Sequence, residues 1–181
     1  MNAKLVTLGS ATAVAVLLSL FVLADDEREW LFPGRDVEVV ANPEYEAECG
    51  ACHYAYQPGL LPARSWEALM AGLDNHFGDN AGLDSALAER ITAYLTGRAA
   101  DASEARLSRR IMRSLGASDA PLRISDVPTI AREHEEIPVG LHRENPDVGS
   151  LSNCSACHRR AADGLYNEHT VNVPGYGEWD D

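Results

Sequence analysis

Two short stretches, Cys49-Gly50-Ala51-Cys52-His53 and Cys154-Ser155-Ala156-Cys157-His158, constrain this 181-residue chain more than any other feature. Each reads C-x-x-C-H, the signature of covalent c-type haem attachment. Two thiols three positions apart on one helical turn can each form a thioether to a haem vinyl group. The adjacent histidine then projects toward the iron as its proximal ligand. The two motifs use all four cysteines of the chain. We therefore expect two covalently bound haem c groups, held through Cys49 and Cys52 and through Cys154 and Cys157. His53 and His158 are the matching metal ligands. Other uses of the cysteines explain less. A four-cysteine zinc site would have to span the 101 residues between Cys52 and Cys154, and zinc does not account for a histidine after each pair. A thioredoxin-like thiol pair would want a βαβ context, which the pattern lacks. Two disulfides would suit an exported chain but leave both histidines unexplained.

The N-terminus bears on export. Lys4 precedes an uncharged run of 20 residues, Leu5 to Ala24, and Asp25, Asp26 and Glu27 follow it. One positive charge before and three negative charges after set the N-terminus inside and the rest outside. The run is long enough to span a bilayer as an apolar helix, and Val22-Leu23-Ala24 is an acceptable cleavage site. Residues 1–24 thus read as a signal peptide or as a single-span membrane anchor. Either reading puts the body outside the cytoplasmic membrane, soluble or tethered, with membrane contact through residues 5–24 in the tethered case.

Charge narrows the partners. Asp and Glu number 28 against 15 Lys and Arg, a formal net charge of -13. Nucleic acid binding needs basic surface to replace counterions, so this balance argues against it. It fits a soluble partner with a basic patch, met by electrostatic steering. Aromatic residues are only 7% of the chain, which is modest for one that must build its own core. Haem would fill part of that core.

The pattern along the body is mostly helical. Residues 25–42 read as an acidic, solvated linker, within a stretch to Glu48 that holds nine acids against Arg28 and Arg35. Residues 43–100 form the first expected lobe and residues 101–181 the second. Asn42-Pro43 is a helix start, with the first haem motif on that helix and Gln57-Pro58-Gly59 ending it. Pro62 opens a helix whose apolar face is Trp66, Leu69, Met70 and Leu73. Asp84 caps another, stopped by Gly97. Residues 98–102 read as an inter-domain connection. A helix to about Leu115 buries Leu107 and Ile111, with Arg106, Arg109, Arg110 and Arg113 around that side. Those arginines could pair with haem propionates or make ordinary surface ion pairs. Pro128 begins a short helix that Pro138 ends, and 139–151 reads as irregular. A second haem helix is expected over roughly 152–162, with Gly164 as its stop, and the tail from Leu165 as extended.

The second axial position separates an electron carrier from an enzyme or sensor, because an open iron can bind a gas or peroxide. His76, His134, His142 and His169 remain after the two proximal histidines. His76 lies in a Gly-rich loop beside Phe77. His134 lies between Ile130 and Ile137 on an apolar face, where the plainer alternative is a satisfied core histidine. Both are candidate metal ligands. His142 and His169 read as exposed, and Met70 and Met112 as core.

Beyond the motifs, Gly59-Leu60-Leu61-Pro62-Ala63-Arg64-Ser65-Trp66, then His76-Phe77-Gly78-Asp79-Asn80-Ala81, then Arg132-Glu133-His134-Glu135-Glu136-Ile137, resemble the bacterial dihaem cytochrome c family over most of residues 44–175. The resemblance implies two mostly helical, cytochrome c-like lobes, each wrapped around one haem with histidine on both sides of the iron. Carried over, His53 with His76 would hold the first haem and His158 with His134 the second. It also implies a periplasmic electron carrier. The donor would be a membrane b-type cytochrome or another quinol-linked protein. The acceptor would be a small soluble c-type haem protein. The expectation is thus an electron-transfer protein, not an enzyme. The alternatives are a small peroxidase or reductase with one open iron, or the haem subunit of a membrane electron-transfer complex.

Overall fold

The computed structural model describes residues 34–179, and Asn42 starts the first helix among them. Its side chain accepts from the Tyr45 N–H at 3.0 Å, Pro43 follows at the first helical position, and Glu44 and Glu46 sit at the positive end. This helix, α1 (Pro43–Cys49), buries Tyr45 and stops at the first haem-motif cysteine. Ala51 to His53 continue as a turn and a bend, so the motif is not carried on one helix as expected.

α2 (Ala63–Ala71) follows Pro62, and its first N–H is capped from a distance by the Asp101 carboxylate at 2.9 Å. It buries Trp66, whose ring N–H donates to the Pro58 carbonyl at 2.8 Å. α3 (Ser85–Gly97) is capped by Asp84, which accepts from the N–H groups of Ala86 and Leu87. One face of α3 buries Ile91 and Leu95, four apart. α4 (Arg106–Ser114) buries Ile111 and Ser108, whose hydroxyl donates to the Gly59 carbonyl at 2.8 Å. α5 (Pro128–Glu133), α6 (Val139–His142) and α7 (Cys154–Cys157) are short. Two strands, β1 (Asn172–Val173) and β2 (Gly177–Glu178), pair antiparallel in the tail.

The core gathers Tyr45, Leu60, Leu61, Trp66, Ile91, Leu95, Ile111 and Val127 from across this order. Each large aliphatic side chain buried there contributes about 1.5–3 kcal/mol by leaving water. From Arg35 onward the described residues form one compact unit. Further buried apolar residues outside that cluster, Val148, Ala161, Leu165, Val171 and Val173, lie on either side of the second motif in sequence.

Four expectations change. Residues 98–102 do not read as a connection, because Ala99 and Ala100 are buried and the Ala100 N–H donates to the Leu61 carbonyl at 2.9 Å. Asp36 and Val37, expected in a solvated linker, are also buried, and both their N–H groups donate to the Gly164 carbonyl. The second haem helix is only one turn, since His158 leaves helical geometry and pairs with Val171 in an isolated bridge. Residues 139–142, expected as irregular, form α6. The expected apolar helix over residues 1–24 lies outside the described residues. Among the described residues no helix is long and apolar enough to cross a membrane.

Candidate haem sites

The first motif's histidine is presented by the bend after α1. The His53 Nδ1 lies 2.8 Å from the Tyr54 carbonyl, so that nitrogen donates there and Nε2 is the one left to meet a metal. His76 comes from the loop after α2. There the His76 N–H donates to the Asp79 carbonyl at 2.7 Å and the Asp79 N–H returns to the His76 carbonyl at 3.2 Å. That small hairpin aims His76 at His53. Their ring centres stand 6.3 Å apart and their planes differ by 27°.

The second site has the same plan. His134 ends α5 as its C-terminal cap, and its Nδ1 lies 2.8 Å from the Ile130 carbonyl one turn back. Again Nε2 is the free donor atom. His134 faces His158 with ring centres 6.1 Å apart and planes at 62°. His158 is pushed down to about 4 by burial, with His134 adding to the effect and Asp36 opposing it, so its ring stays neutral. Its Nδ1 is buried without a hydrogen-bond partner. Burial also lowers His76, with His53 contributing.

These spacings have a simple meaning. A ligating imidazole nitrogen sits about 2 Å from a first-row metal, and the ring centre about 1 Å behind it. Two imidazoles on either side of one iron therefore have centres about 6 Å apart. Both pairs stand at that separation, and in His53 and His134 the carbonyl at Nδ1 leaves Nε2 as the nitrogen to meet a metal. The thiols agree. No disulfide joins any of the four cysteines, and burial pushes the Cys49 and Cys154 thiols up to about 11. A thiol so raised is a poor redox nucleophile, unlike the thiolates of disulfide exchange. Among the described residues no three His, Cys, Asp or Glu side chains converge to hold a bare metal ion, so the two cysteine pairs do not build a zinc site. The residues present fit two haem c groups.

The other expected candidates fall elsewhere. His169 is exposed beside Glu168, and His142 ends α6. Met70 and Met112 pack against the core. Three arginines of α4 pair with carboxylates: Arg106 with Asp36 at 2.9 Å, Arg109 with Glu104 at 3.3 Å and Arg110 with Glu133 at 2.6 Å. The sequence reading overlooked the residues between the two motifs. Tyr54, Tyr56 and Tyr166 cluster there with Gln57, and burial raises all three phenols. The alternation Tyr54-Ala55-Tyr56 directly after His53 was the available signal.

Comparisons with known proteins agree with this chemistry. A family model for dihaem cytochrome c matches residues 45–166. The chain is similar to the X-ray structure of a dihaem cytochrome c from Shewanella baltica OS155, at 44% identity over 77% of this chain and 98% of that one, with a TM-score of 0.63. It is also similar to a dihaem cytochrome c from Rhodobacter sphaeroides, at 46% identity over 71% of this chain and 98% of the other, TM-score 0.61. A second structure from that organism, at 43% identity, covers 71% of this chain and 100% of its own, TM-score 0.57. No curated protein matches. Two haem c groups account for every cysteine and for the histidine after each pair, and this chain belongs to the dihaem cytochrome c family.

Proposed function

We propose that this dihaem cytochrome c relays single electrons in the periplasm, from a membrane b-type cytochrome or other quinol-linked donor to a small soluble c-type haem protein. When bound, each haem supplies a one-electron Fe(III)/Fe(II) couple. His53 and His76 would hold the first iron, and His158 and His134 the second. Cys49, Cys52, Cys154 and Cys157 bind the porphyrins. Two helical lobes each fold around one haem. The chain's net charge of -13 favours partners with basic patches. The apolar run from Leu5 to Ala24 supports export of the body and, if retained, a tether.

The observation that carries this reading is the pair of facing imidazoles at 6.3 and 6.1 Å. Histidine on both faces leaves no open position for a substrate, so the site favours electron transfer over peroxidase or reductase chemistry. Electron paramagnetic resonance of the oxidised holoprotein tests it. Two low-spin centres are expected. His76→Ala and His134→Ala each convert one centre to high spin and leave the other. A variant that stays fully low-spin removes that histidine from the ligand set. Binding of carbon monoxide or cyanide to the unmodified protein without loss of a ligand supports the open-iron alternative.

A further inference from the structure

The two proximal histidines are joined by a continuous line of aromatic side chains, linked by ring contacts and one hydroxyl hydrogen bond. His53 packs on Tyr56 with ring centres 4.8 Å apart, and Tyr56 meets Tyr54 edge-on at 4.7 Å. The Tyr54 and Tyr166 hydroxyls share a short hydrogen bond across 112 positions of sequence. Tyr166 then packs on His158 at 5.4 Å. Gln57 holds this line in place. Its amide N–H donates to the Ala161 carbonyl at 2.6 Å, which fixes the amide orientation and turns Oε1 toward the phenols. The Tyr166 hydroxyl donates to that oxygen at 2.5 Å, which leaves the Tyr54 hydroxyl to donate to the Tyr166 oxygen, with the same Gln57 oxygen 3.4 Å from it. The Tyr56 hydroxyl, in turn, donates to the Ser152 carbonyl at 2.5 Å, just ahead of the second motif.

A plain core would need none of this. Three phenols in one largely desolvated, partly buried place need three acceptors, and an apolar cluster would avoid that need. Here every hydroxyl has a hydrogen-bond partner, and each side chain meets the next by a ring contact or, between Tyr54 and Tyr166, by a hydroxyl hydrogen bond.

We propose that Tyr56, Tyr54 and Tyr166 form the bridge through which the two haem centres exchange an electron, with Gln57 as the positioning residue. The proposal rests on the histidine assignment above. One electron leaves the reduced iron on one side, which becomes Fe(III), and the Fe(III) on the other side becomes Fe(II). The tyrosines stay neutral phenols and no proton moves, because each hydroxyl already donates to a fixed neutral acceptor.

Exchange spectroscopy by NMR on half-reduced holoprotein reads the rate directly, from the haem methyl resonances, without any partner protein. Tyr54→Leu and Tyr166→Leu remove a ring and slow the exchange several-fold. Tyr54→Phe and Tyr166→Phe keep the ring and slow it less. If the leucine variants do not fold, Gln57→Leu keeps every ring but releases the phenol pair, and slower exchange is again expected. Parental exchange in the folded leucine variants, or failing those in Gln57→Leu, with both haems low-spin, overturns the bridge. A high-spin centre in the unmodified protein instead overturns the histidine assignment beneath it, and the two failures are distinguishable by spectrum alone.

Discussion

The Asp36 carboxylate accepts the backbone N–H of Tyr166 at 2.7 Å, across 130 positions of sequence. It thereby ties the chain entering α1 to the segment behind the second motif. Asp36 is only 5% exposed. Asp36→Ala leaves the Tyr166 N–H without this acceptor, which costs about 1–3 kcal/mol. The Arg106 end of its ion pair is more than half exposed and adds little. Asp36→Asn keeps an acceptor oxygen in place and loses less. Denaturant unfolding of the holoproteins measures both. Equal losses in the two variants would mean that charge matters here and the acceptor does not.

High pH gives a second test. Burial raises the phenols of Tyr45, Tyr54 and Tyr166 strongly and pushes Tyr56 up to about 12. An unfolded tyrosine ionises near pH 10. The folded state therefore binds more protons than the unfolded state above that pH. This part of the stability is fully present below about pH 10 and is lost as pH rises toward and beyond 12. Denaturant midpoints are expected to hold up to about pH 10 and then to fall. The phenolate absorbance of the buried tyrosines appears together with unfolding. Phenolate from these residues in the still-folded protein at pH 11, between those two values, would contradict their burial.

The helix starts were legible because their chemistry is local. Asn42-Pro43 and Asp84 satisfy orphan N–H groups within three residues, and both cap where expected. The haem motifs were legible for the same reason, since spacing alone carries them. What failed was non-local. Nothing near Asp36 in sequence says that the Tyr166 N–H will need its carboxylate. An acidic run therefore read as solvated throughout. The second haem helix was expected to run on to Ala162, but His158 leaves it to pair with Val171, thirteen residues ahead. The tyrosine cluster draws members from both ends of the chain, so no window of sequence contains it. His76 and His134 were picked out from local setting, but only the folded chain aims each at its partner ring.

Gly164 and Gly97 have opposite expected responses to alanine. Gly164 sits at φ +73, and an added Cβ would lie 2.3 Å from the Val37 carbonyl oxygen. The left-handed backbone alone costs an L-residue about 1–2 kcal/mol, and the contact with backbone adds to it. Gly164→Ala is expected to lose at least about 2 kcal/mol. The Gly164 carbonyl accepts the N–H groups of Asp36 and Val37, so that segment loosens with it. Gly97 ends α3 with open space around the added carbon. Gly97→Ala gains about 0.5–1 kcal/mol from the lower entropy of the unfolded chain. Thermal or denaturant midpoints of the two variants must move in opposite directions.

Phe77 is the apex of the turn that aims His76, and it occupies a conformation that phenylalanine does not favour. Its φ is +56, followed by Gly78 at +108, in a two-residue turn of the type that prefers Asn-Gly. The side chain is 47% exposed, so burial does little to offset the strain. Two contacts work in its favour. The Arg123 guanidinium lies 4.0 Å above the ring centre, and the ring meets His76 edge-on at 4.8 Å. A cation–π contact at an exposed site contributes about 0.5–1 kcal/mol, against about 1–2 kcal/mol for the left-handed backbone. Asparagine tolerates that backbone but makes neither contact. The opposing effects nearly cancel, so Phe77→Asn changes stability by less than about 1 kcal/mol. Its consequence is expected at His76, which loses the ring that limits its rotation. The low-spin resonance of one haem then shifts or broadens in the oxidised holoprotein, and the other stays as it was. An unchanged pair of resonances would show that the hairpin backbone alone orients His76. A large loss of stability would show that the ring carries weight in packing that its exposure does not suggest.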